Sequence, residues 1–257
     1  MDPGAGWFSA RNPLVLFSRE DVHDLPHSVN LGMESSEHYG GYVGAIYPFS
    51  RFFRASLTLS GARYETNYDD EENRRDAAGT ISKAALSLVY DNVLWGLMMP
   101  LDGFRGRITL EQSFPLLGHD LIYTGINLDL RRYFLMYREY VLALRFSCGH
   151  ILGPDSSLFQ YYIGGFSTLR GYDLFAVHGG SMFLLSAEFR FTLIENLRLA
   201  WPVRVSIGNF GGVIFLDAGS AWNDTPVFYN THEQRADDLN FDIGFGIRFV
   251  IYPVTIL

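Results

Sequence analysis

Hydrophobic and polar residues alternate along most of the chain, and this period of two residues predicts β-strands. From 183 to 193 the odd positions are apolar, whereas the even positions include polar and charged residues such as Glu188 and Arg190. The same alternation is present at about 104–114, 121–133 and 239–249. Each of these strands therefore has one apolar face and one polar face.

Nine segments carry strand patterns, at about residues 38–48, 53–66, 79–91, 103–114, 120–133, 138–150, 180–193, 211–222 and 238–251. Many are about 11–14 residues long, whereas strands of globular proteins average about 5–6 residues. Their apolar faces are bulky and often end in an aromatic residue, and their polar faces mix glycines with charges of both signs. This combination is typical of an antiparallel transmembrane β-barrel. Alternation alone also fits a soluble β-sandwich, which stays open as an alternative.

The predicted connections alternate in length, as they do in outer-membrane barrels. Short joins lie at 48–52 and 134–137, and longer ones at 67–78, 151–179 and 223–237. The joins at 115–119 and 194–210 depart from this rule. Residues 1–37 form an irregular lead-in or weak first strands, and residues 38–257 form the barrel. Because an odd set of strands cannot close and open edges are not tolerated in lipid, the chain is expected to be part of a larger barrel.

Composition and charge exclude several classes of protein. The 257 residues are 48% hydrophobic and 19% charged, which does not fit a disordered chain. A net charge of −8 without a basic block argues against nucleic-acid binding. One cysteine, Cys148, excludes a disulfide scaffold. His23 and His27 have a zinc-binding spacing, but Pro26 opposes the helix that this spacing requires, so no metal site is expected.

No motif for catalysis is found in the sequence. It contains neither a G-x-S-x-G elbow nor an H-E-x-x-H helix, and the spacing of Ser, His and Asp residues assigns no triad. We therefore expect no enzyme activity, no cofactor and no small-molecule substrate.

Three stretches in a fixed order carry a resemblance to a known family. They are YYIGGFSTLRGYD at 161–173, VIFLDAGSAW at 213–222 and FDIGFGIRF at 241–249. This order resembles the C-terminal barrel of the bacterial surface-antigen family, the outer-membrane assembly barrels of BamA/TamA type. The lumen-loop motif of that family is matched by Gly164, Gly165, Leu169, Arg170, Gly171 and Tyr172, with Thr168 where the motif often has Ser. Its F-x-D-x-G strand is matched by Phe215, Asp217 and Gly219.

Further stretches resemble one subgroup of that family, in which an N-terminal β-propeller precedes the barrel. These are YPFSRF at 47–52, DNVLWG at 91–96 and SAEFRFTL at 186–193. The resemblance covers roughly residues 38–257 and implies a barrel of about sixteen strands, of which this chain supplies roughly the sixth to the fourteenth.

The resemblance also implies a contact inside the barrel. Alternation places Glu188 and Asp217 on the lumen face of their strands. A guanidinium held inside a lumen favours a carboxylate partner, and the family pairs its loop arginine with these two acids. The hypothesis is that Arg170, Glu188 and Asp217 lock the long loop in the lumen. The alternative is a solvated Arg170 and acids that only line a wet lumen.

The family resemblance implies a function at the bacterial outer membrane. It implies non-enzymatic insertion or translocation of other outer-membrane proteins, with the outer-membrane lipid and those clients as partners. The implied mechanism is pairing of client strands at a weak seam between the first and last barrel strands, both outside this chain. A passive porin-like channel and a soluble β-sandwich binding domain are the alternatives.

Overall fold

A computed structural model describes most of the strands and the long loop. It covers residues 2–11, 36–66, 77–96, 99–116, 121–137, 140–156, 159–194, 197–199, 205–223 and 238–251. The weak strands expected within 12–35, the pair His23 and His27, and most of the loop at 67–78 lie outside the described residues.

Ten long strands form the wall. They are β1 (Asp2–Arg11), β2 (Ser36–Pro48), β3 (Phe53–Thr66), β4 (Ala77–Asp91), β6 (Pro100–Ser113), β7 (Thr124–Tyr137), β8 (Tyr140–Leu152), β11 (Ser181–Ile194), β13 (Val205–Trp222) and β14 (Asn240–Ile251). Four short strands accompany them: β5 (Leu94–Trp95), β9 (Tyr161–Ile163), β10 (Val177–Gly179) and β12 (Leu197–Leu199). Among the described residues no helix is long and apolar enough to cross a membrane.

The long strands pair in chain order, each antiparallel to the next, to form one sheet. Within the described residues β1 pairs only with β2, and β14 pairs only with β13. β5 pairs with β6, and β12 pairs with the start of β13. The hairpin of β9 and β10 forms a separate sheet inside the connection from β8 to β11. The long strands thus form a simple meander that carries one structured loop.

The outward face of the sheet is apolar and exposed. Side chains there include Leu57, Leu86, Ile108, Leu144, Leu185, Leu216 and Ile243. Ile243 is 78% exposed and Leu216 is 51% exposed, which is unfavourable in water for a continuous apolar band. Such a band is the surface that a membrane barrel presents to lipid.

The inward face carries charges, small residues and two apolar clusters. Lys83 of β4 and Glu111 of β6 form an ion pair at 3.0 Å, and the hydroxyl of Tyr123 also donates to Glu111. One apolar cluster joins the wall to the long loop. The other lies near the short turns and contains Met99, Tyr133, Val141 and Ala143. The buried ammonium of Lys83 is therefore paired with a carboxylate, as a low-dielectric site requires.

The strand bounds differ from the predicted ones at several places, of which three change the picture of the sheet. β1 at Asp2–Arg11 is a full strand in a region where the pattern singles out none. β7 continues to Tyr137, so residues 134–137, which were predicted as a short join, belong to this strand. β13 begins at Val205 rather than near 211, because its first residues pair with β12. Each difference lies at the end of a strand or in a segment without clear alternation.

Candidate functional site

The connection from β8 to β11, residues 153–180, folds against the inward face of the sheet. Its apolar residues Phe159, Ile163 and Leu169 have no exposed surface and pack on Met182 and Leu184 of β11. Burying each such side chain contributes roughly 1.5–3 kcal/mol. The loop is therefore a packed part of the interior.

Glycines shape the turn that follows β9. Gly164 and Gly165 have φ values of 125° and 86°, a left-handed backbone that residues with a Cβ rarely adopt. The amide of Gly164 donates to the hydroxyl of Thr168 at 2.8 Å, and the amide of Gly165 donates to the carbonyl of Leu169 at 3.0 Å. The turn thereby directs residues 168–172 toward β11, β13 and β14.

Arg170 meets the sheet through a set of charged contacts, which we call the loop cluster: Arg170, Glu188 and Asp217. The Nε and Nη2 of Arg170 donate to Oδ2 and Oδ1 of Asp217 at 2.7 and 2.9 Å. Nη2 also lies 2.8 Å from Oε1 of Glu188. Such bidentate pairing is the geometry in which a guanidinium binds a carboxylate most strongly. The structure thus places these three residues in direct contact.

The surroundings of the loop cluster favour its charged form. Asp217 is fully buried and also accepts a hydrogen bond from the hydroxyl of Ser186. The guanidinium carbon of Arg170 lies 3.8 Å from the ring centroid of Phe215, a cation–π contact. Burial by itself lowers the pKa of Arg170, but the hydrogen bond to Asp217 and the charge of Glu188 outweigh burial and raise the pKa. Arg170 therefore stays protonated.

The neighbours of Arg170 add contacts to β14. The amide of Gly171 donates to Oδ2 of Asp242 at 3.0 Å, and a Cβ on Gly171 would lie only 2.7 Å from the Cβ of Asp242. The hydroxyl of Tyr172 lies 3.5 Å from the carbonyl oxygen of Phe241. A side chain at position 171 would separate the loop from β14, so glycine is required there.

Gly219 and Leu169 complete the set of predicted site residues. A Cβ on Gly219 would lie 2.9 Å from the carbonyl of Phe183 and 3.4 Å from Cδ1 of Ile163 in the loop. Gly219 therefore leaves room for the loop to approach the wall, while the fully buried Leu169 fills the space beneath the turn.

A second charged group of the inward face, the wall cluster, consists of Asp129, Arg131 and Arg145. Arg131 Nε donates to Asp129 Oδ1 at 2.7 Å, and Arg145 Nη2 donates to Asp129 Oδ2 at 2.7 Å. Nη1 of Arg145 also reaches the carbonyl of Ser167 at 3.5 Å. Sequence reasoning did not single out this cluster. The sequence signal that could have found it is alternation, which places residues 129 and 131 of β7 and residue 145 of β8 on the inward face.

Three more contacts between loop and wall, those of Ser186, Asp242 and Asn127, were missed in the sequence. Ser186 and Asp242 share the parity of Glu188 and Arg248, so alternation places them on the inward face without indicating a partner. The hydroxyl of Tyr161 donates to Oδ1 of Asn127 at 2.7 Å, which holds the base of the loop to β7. Pairings of this kind depend on the path of the loop, which has no periodic signal.

The chemistry available at this site is that of a structural anchor. Within the described ranges no group of three or more His, Cys, Asp or Glu side chains has the arrangement of a metal site. Glu188 also contacts Arg190 at 2.8 Å and Arg248 at 3.4 Å, so its charge is shared among several arginines. The site is a network of ion pairs that joins a loop to three strands.

Comparison with known proteins identifies the fold. BamA from Haemophilus ducreyi, in a crystal structure lacking POTRA domains 1–3, superposes with a TM-score of 0.67 at 15% sequence identity. The match covers 96% of this chain and 52% of that one, so the chain spans about half the length of that structure. No curated protein matches the sequence. The prediction of an all-β, antiparallel transmembrane β-barrel is confirmed by this similarity of fold.

A family model agrees with the structural comparison. The Omp85 superfamily domain matches residues 24–253, which is most of the chain. This match also confirms the resemblance to barrels of BamA/TamA type and the predicted location in the outer membrane. The chain therefore belongs to the Omp85 superfamily of outer-membrane β-barrel proteins.

Proposed function

We propose that this protein inserts or translocates other polypeptides at the outer membrane, without enzymatic chemistry, and that the loop cluster holds its lumen loop in the competent position. The observation that supports the proposal is the bidentate contact of Arg170 with the fully buried Asp217, joined by Glu188. The match to the Omp85 superfamily supports the general role.

The proposed role of the loop cluster, holding the loop in the lumen, follows from the positions of its three residues. Arg170 lies on the loop, whereas Glu188 and Asp217 lie on β11 and β13. A carboxylate with no exposed surface is costly unless a cation pairs with it, and moving the loop away would break both hydrogen bonds from Arg170 to Asp217 and its ion pair with Glu188. This cost favours the docked loop over other loop positions.

The proposed partners are outer-membrane lipid and client outer-membrane proteins. Lipid meets the outward apolar band, and a client strand pairs with an exposed sheet edge by strand addition. Such pairing supplies main-chain hydrogen bonds, and these are strongly stabilising in lipid, where no water can satisfy the backbone groups. A loop held against the inner wall leaves the seam strands free to carry this pairing.

We also infer that the chain is part of a longer polypeptide that contains further barrel strands, with a β-propeller before the barrel. Within the described ranges no strand pairs with the outer edges of β1 and β14, which supports further strands because exposed edges are unfavourable in lipid. The division into a lead-in of residues 1–37 and a barrel of 38–257, with its lumen-folded loop at 151–179, stays a prediction. Sequencing the reading frame on both sides of the chain tests these inferences.

The experiment that tests the function uses the full-length protein reconstituted in liposomes with an unfolded outer-membrane protein as client. The rate of client folding is read from the shift in gel mobility of the folded barrel. We expect Arg170→Ala to slow assisted folding at least about tenfold, since a buried charge pair is lost. Arg105→Ala is the matched control, because Arg105 is a wall arginine of β6 that pairs with the wall carboxylate of Asp91 at 3.7 Å.

Two results would overturn the proposal. If the wild-type protein does not accelerate client folding but makes the liposomes conduct small ions freely, the protein acts as a passive channel and the proposal is wrong. If wild type is active and Arg170→Ala and Arg105→Ala slow folding equally, the loop cluster has no special part in the activity.

A further inference from the structure

The outward face contains a groove that the proposed function does not use. Cross-strand pairing aligns one row of outward side chains over five neighbouring strands, formed by Phe104, Arg132, Leu144, Ala187 and Leu216. A second row lies beside it and contains Leu130, Phe146, Leu185 and Ala218. Both rows line a groove of about 440 Å³.

Small side chains create the groove. Ala187 and Ala218 lie at its floor, while the longer Leu144, Leu185 and Leu216 project around them. These three leucines are 40–51% exposed, so the groove opens outward rather than into the lumen. Its volume falls within the range of about 300–1,000 Å³ that is usual for small-molecule sites. An apolar, outward depression on a membrane barrel is filled by hydrocarbon.

A pair of opposite charges lies at one end of the groove. Among the described outward positions of β6, β7, β8, β11, β13 and β14, the charged side chains are Asp102 and Arg132. Nη2 of Arg132 lies 3.9 Å from Oδ1 of Asp102, beyond hydrogen-bond distance. Both side chains are well exposed, at 41% for Arg132 and 50% for Asp102. They are therefore near enough to share one ligand and exposed enough to reach it.

The arginine extends toward the short-turn end of the barrel. Its guanidinium carbon lies 4.7 Å from the ring centroid of Phe134, which is two residues nearer the end of β7. A long basic side chain that lies over an aromatic ring places its charge at the membrane interface and its stem along the apolar face. The headgroups of the adjacent leaflet lie at that level.

We propose that this groove binds one zwitterionic phospholipid of that leaflet. An acyl chain fills the apolar groove between the two rows, the phosphate accepts hydrogen bonds from Arg132, and the headgroup ammonium pairs with Asp102. Charge complementarity selects this ligand: a guanidinium binds phosphate oxygens well, and the adjacent carboxylate repels a purely anionic headgroup. The site lies on the opposite face of the wall from the loop cluster, so it is independent of the proposed insertion activity.

The test uses the full-length protein purified in detergent and stripped of lipid. Native mass spectrometry counts lipid adducts after titration with palmitoyl-oleoyl phosphatidylethanolamine or with the phosphatidylglycerol of the same chains. Arg132→Gln removes the phosphate contact, and Ala187→Leu fills the groove. Arg63→Gln on β3 and Ala84→Leu on β4 are matched controls, since both positions lie on the wall outside the groove.

We expect one phosphatidylethanolamine per protein to bind more tightly than the rest. Arg132→Gln and Ala187→Leu are each expected to weaken this binding about fivefold or more. The first removes the contact with the phosphate, and the second fills the space of the acyl chain. The controls are expected to bind as wild type does. Asp102→Asn is expected to abolish the preference for phosphatidylethanolamine over phosphatidylglycerol while phospholipid still binds.

Several results would overturn the inference. Equal adduct distributions for wild type and all variants would show unspecific lipid coating. If Ala187→Leu loses lipid binding but Arg132→Gln does not, the groove holds a hydrocarbon chain and does not recognise the headgroup. A wild-type preference for phosphatidylglycerol would show that Asp102 neither pairs with the headgroup ammonium nor repels an anionic headgroup. Heat-dependent gel mobility confirms that each variant has a folded barrel before lipid binding is measured.

Discussion

The loop cluster and the wall cluster contain the same chemistry but join different parts of the molecule. In each, a carboxylate lies between cationic or hydroxyl donors on the inward face, with nitrogen–oxygen distances as short as 2.7 Å. Asp129 of the wall cluster joins β7 to β8, which are already paired along their length by backbone hydrogen bonds. Asp217 of the loop cluster joins β13 to a residue 47 positions earlier in the chain.

Because of this difference, the two sets of ion pairs have different effects on the structure. The register of β7 and β8 is determined by their backbone ladder, so the wall cluster adds stability to an arrangement that exists without it. In the described part of the chain, side-chain contacts with Asn127, Glu188, Asp217 and Asp242 join the loop to the wall. Loss of the loop cluster should therefore move the loop, whereas loss of the wall cluster should only weaken the wall.

Asp217→Ala should have the largest effect. It leaves the guanidinium of Arg170 without its buried partner, a type of change that costs about 3–5 kcal/mol. We expect this loss in the free energy of unfolding, measured by urea titration in detergent, together with rapid protease cleavage within residues 153–180. A loop that stays resistant to protease in this variant would contradict the lock.

Gly164→Ala should loosen the loop without changing any charge. The new Cβ would meet the carbonyl of Asp173 in a backbone with φ of 125°, and such strain costs about 1–3 kcal/mol. We expect faster hydrogen exchange in the loop and little change in β7 and β8. Gly125→Ala in β7 is the control, since its Cβ would meet only ordinary contacts at 3.7 Å.

Asp129→Asn tests the wall cluster. It keeps the shape of the side chain but removes the charge that Arg131 and Arg145 share, and hydrogen bonds to charged groups contribute about 1.5–3 kcal/mol. We expect a lower urea midpoint with wild-type protease resistance of the loop. Release of the loop by this variant would show that Arg145 and its contact with Ser167 matter as much as Arg170 does.

Tyr161→Phe should have the smallest effect. It removes the hydrogen bond to Asn127, which contributes about 0.5–1.5 kcal/mol, and leaves the buried ring in place. We expect a small loss of unfolding free energy and a modest rise in exchange at the base of the loop. An effect as large as that of Asp217→Ala would mean that the base of the loop, rather than the loop cluster, holds it.

Strand periodicity made most of the wall predictable. Leu185 and Glu188 lie on opposite faces because successive side chains of a strand alternate, and no tertiary information is needed for that. Strand ends were less predictable: β7 continues to Tyr137 because its last residues pair with β8, although their apolar run has no alternation. β1 was not singled out at all, since glycine and proline near its start hide any pattern.

The contacts of the loop were predictable only through the family motif. Glu188 and Asp217 were placed on the inward face by parity, and the motif named Arg170 as their partner. Ser186 and Asp242 had the same parity but no motif to connect them with the loop. The contacts of Arg145 with Ser167 and of Tyr161 with Asn127 had neither signal, because they depend on where an aperiodic segment passes the wall.

The sequence by itself determined the strands, the two faces of the sheet and the membership of an outer-membrane barrel family, because these follow from local alternation and short motifs. Only the tertiary structure decided which charges meet, how the loop packs beneath Leu169 and how two rows of outward side chains enclose a groove beside Arg132. Register between strands and the path of a loop arise from contacts between residues far apart in the chain. No local pattern encodes such contacts, since each depends on the position of every strand between them.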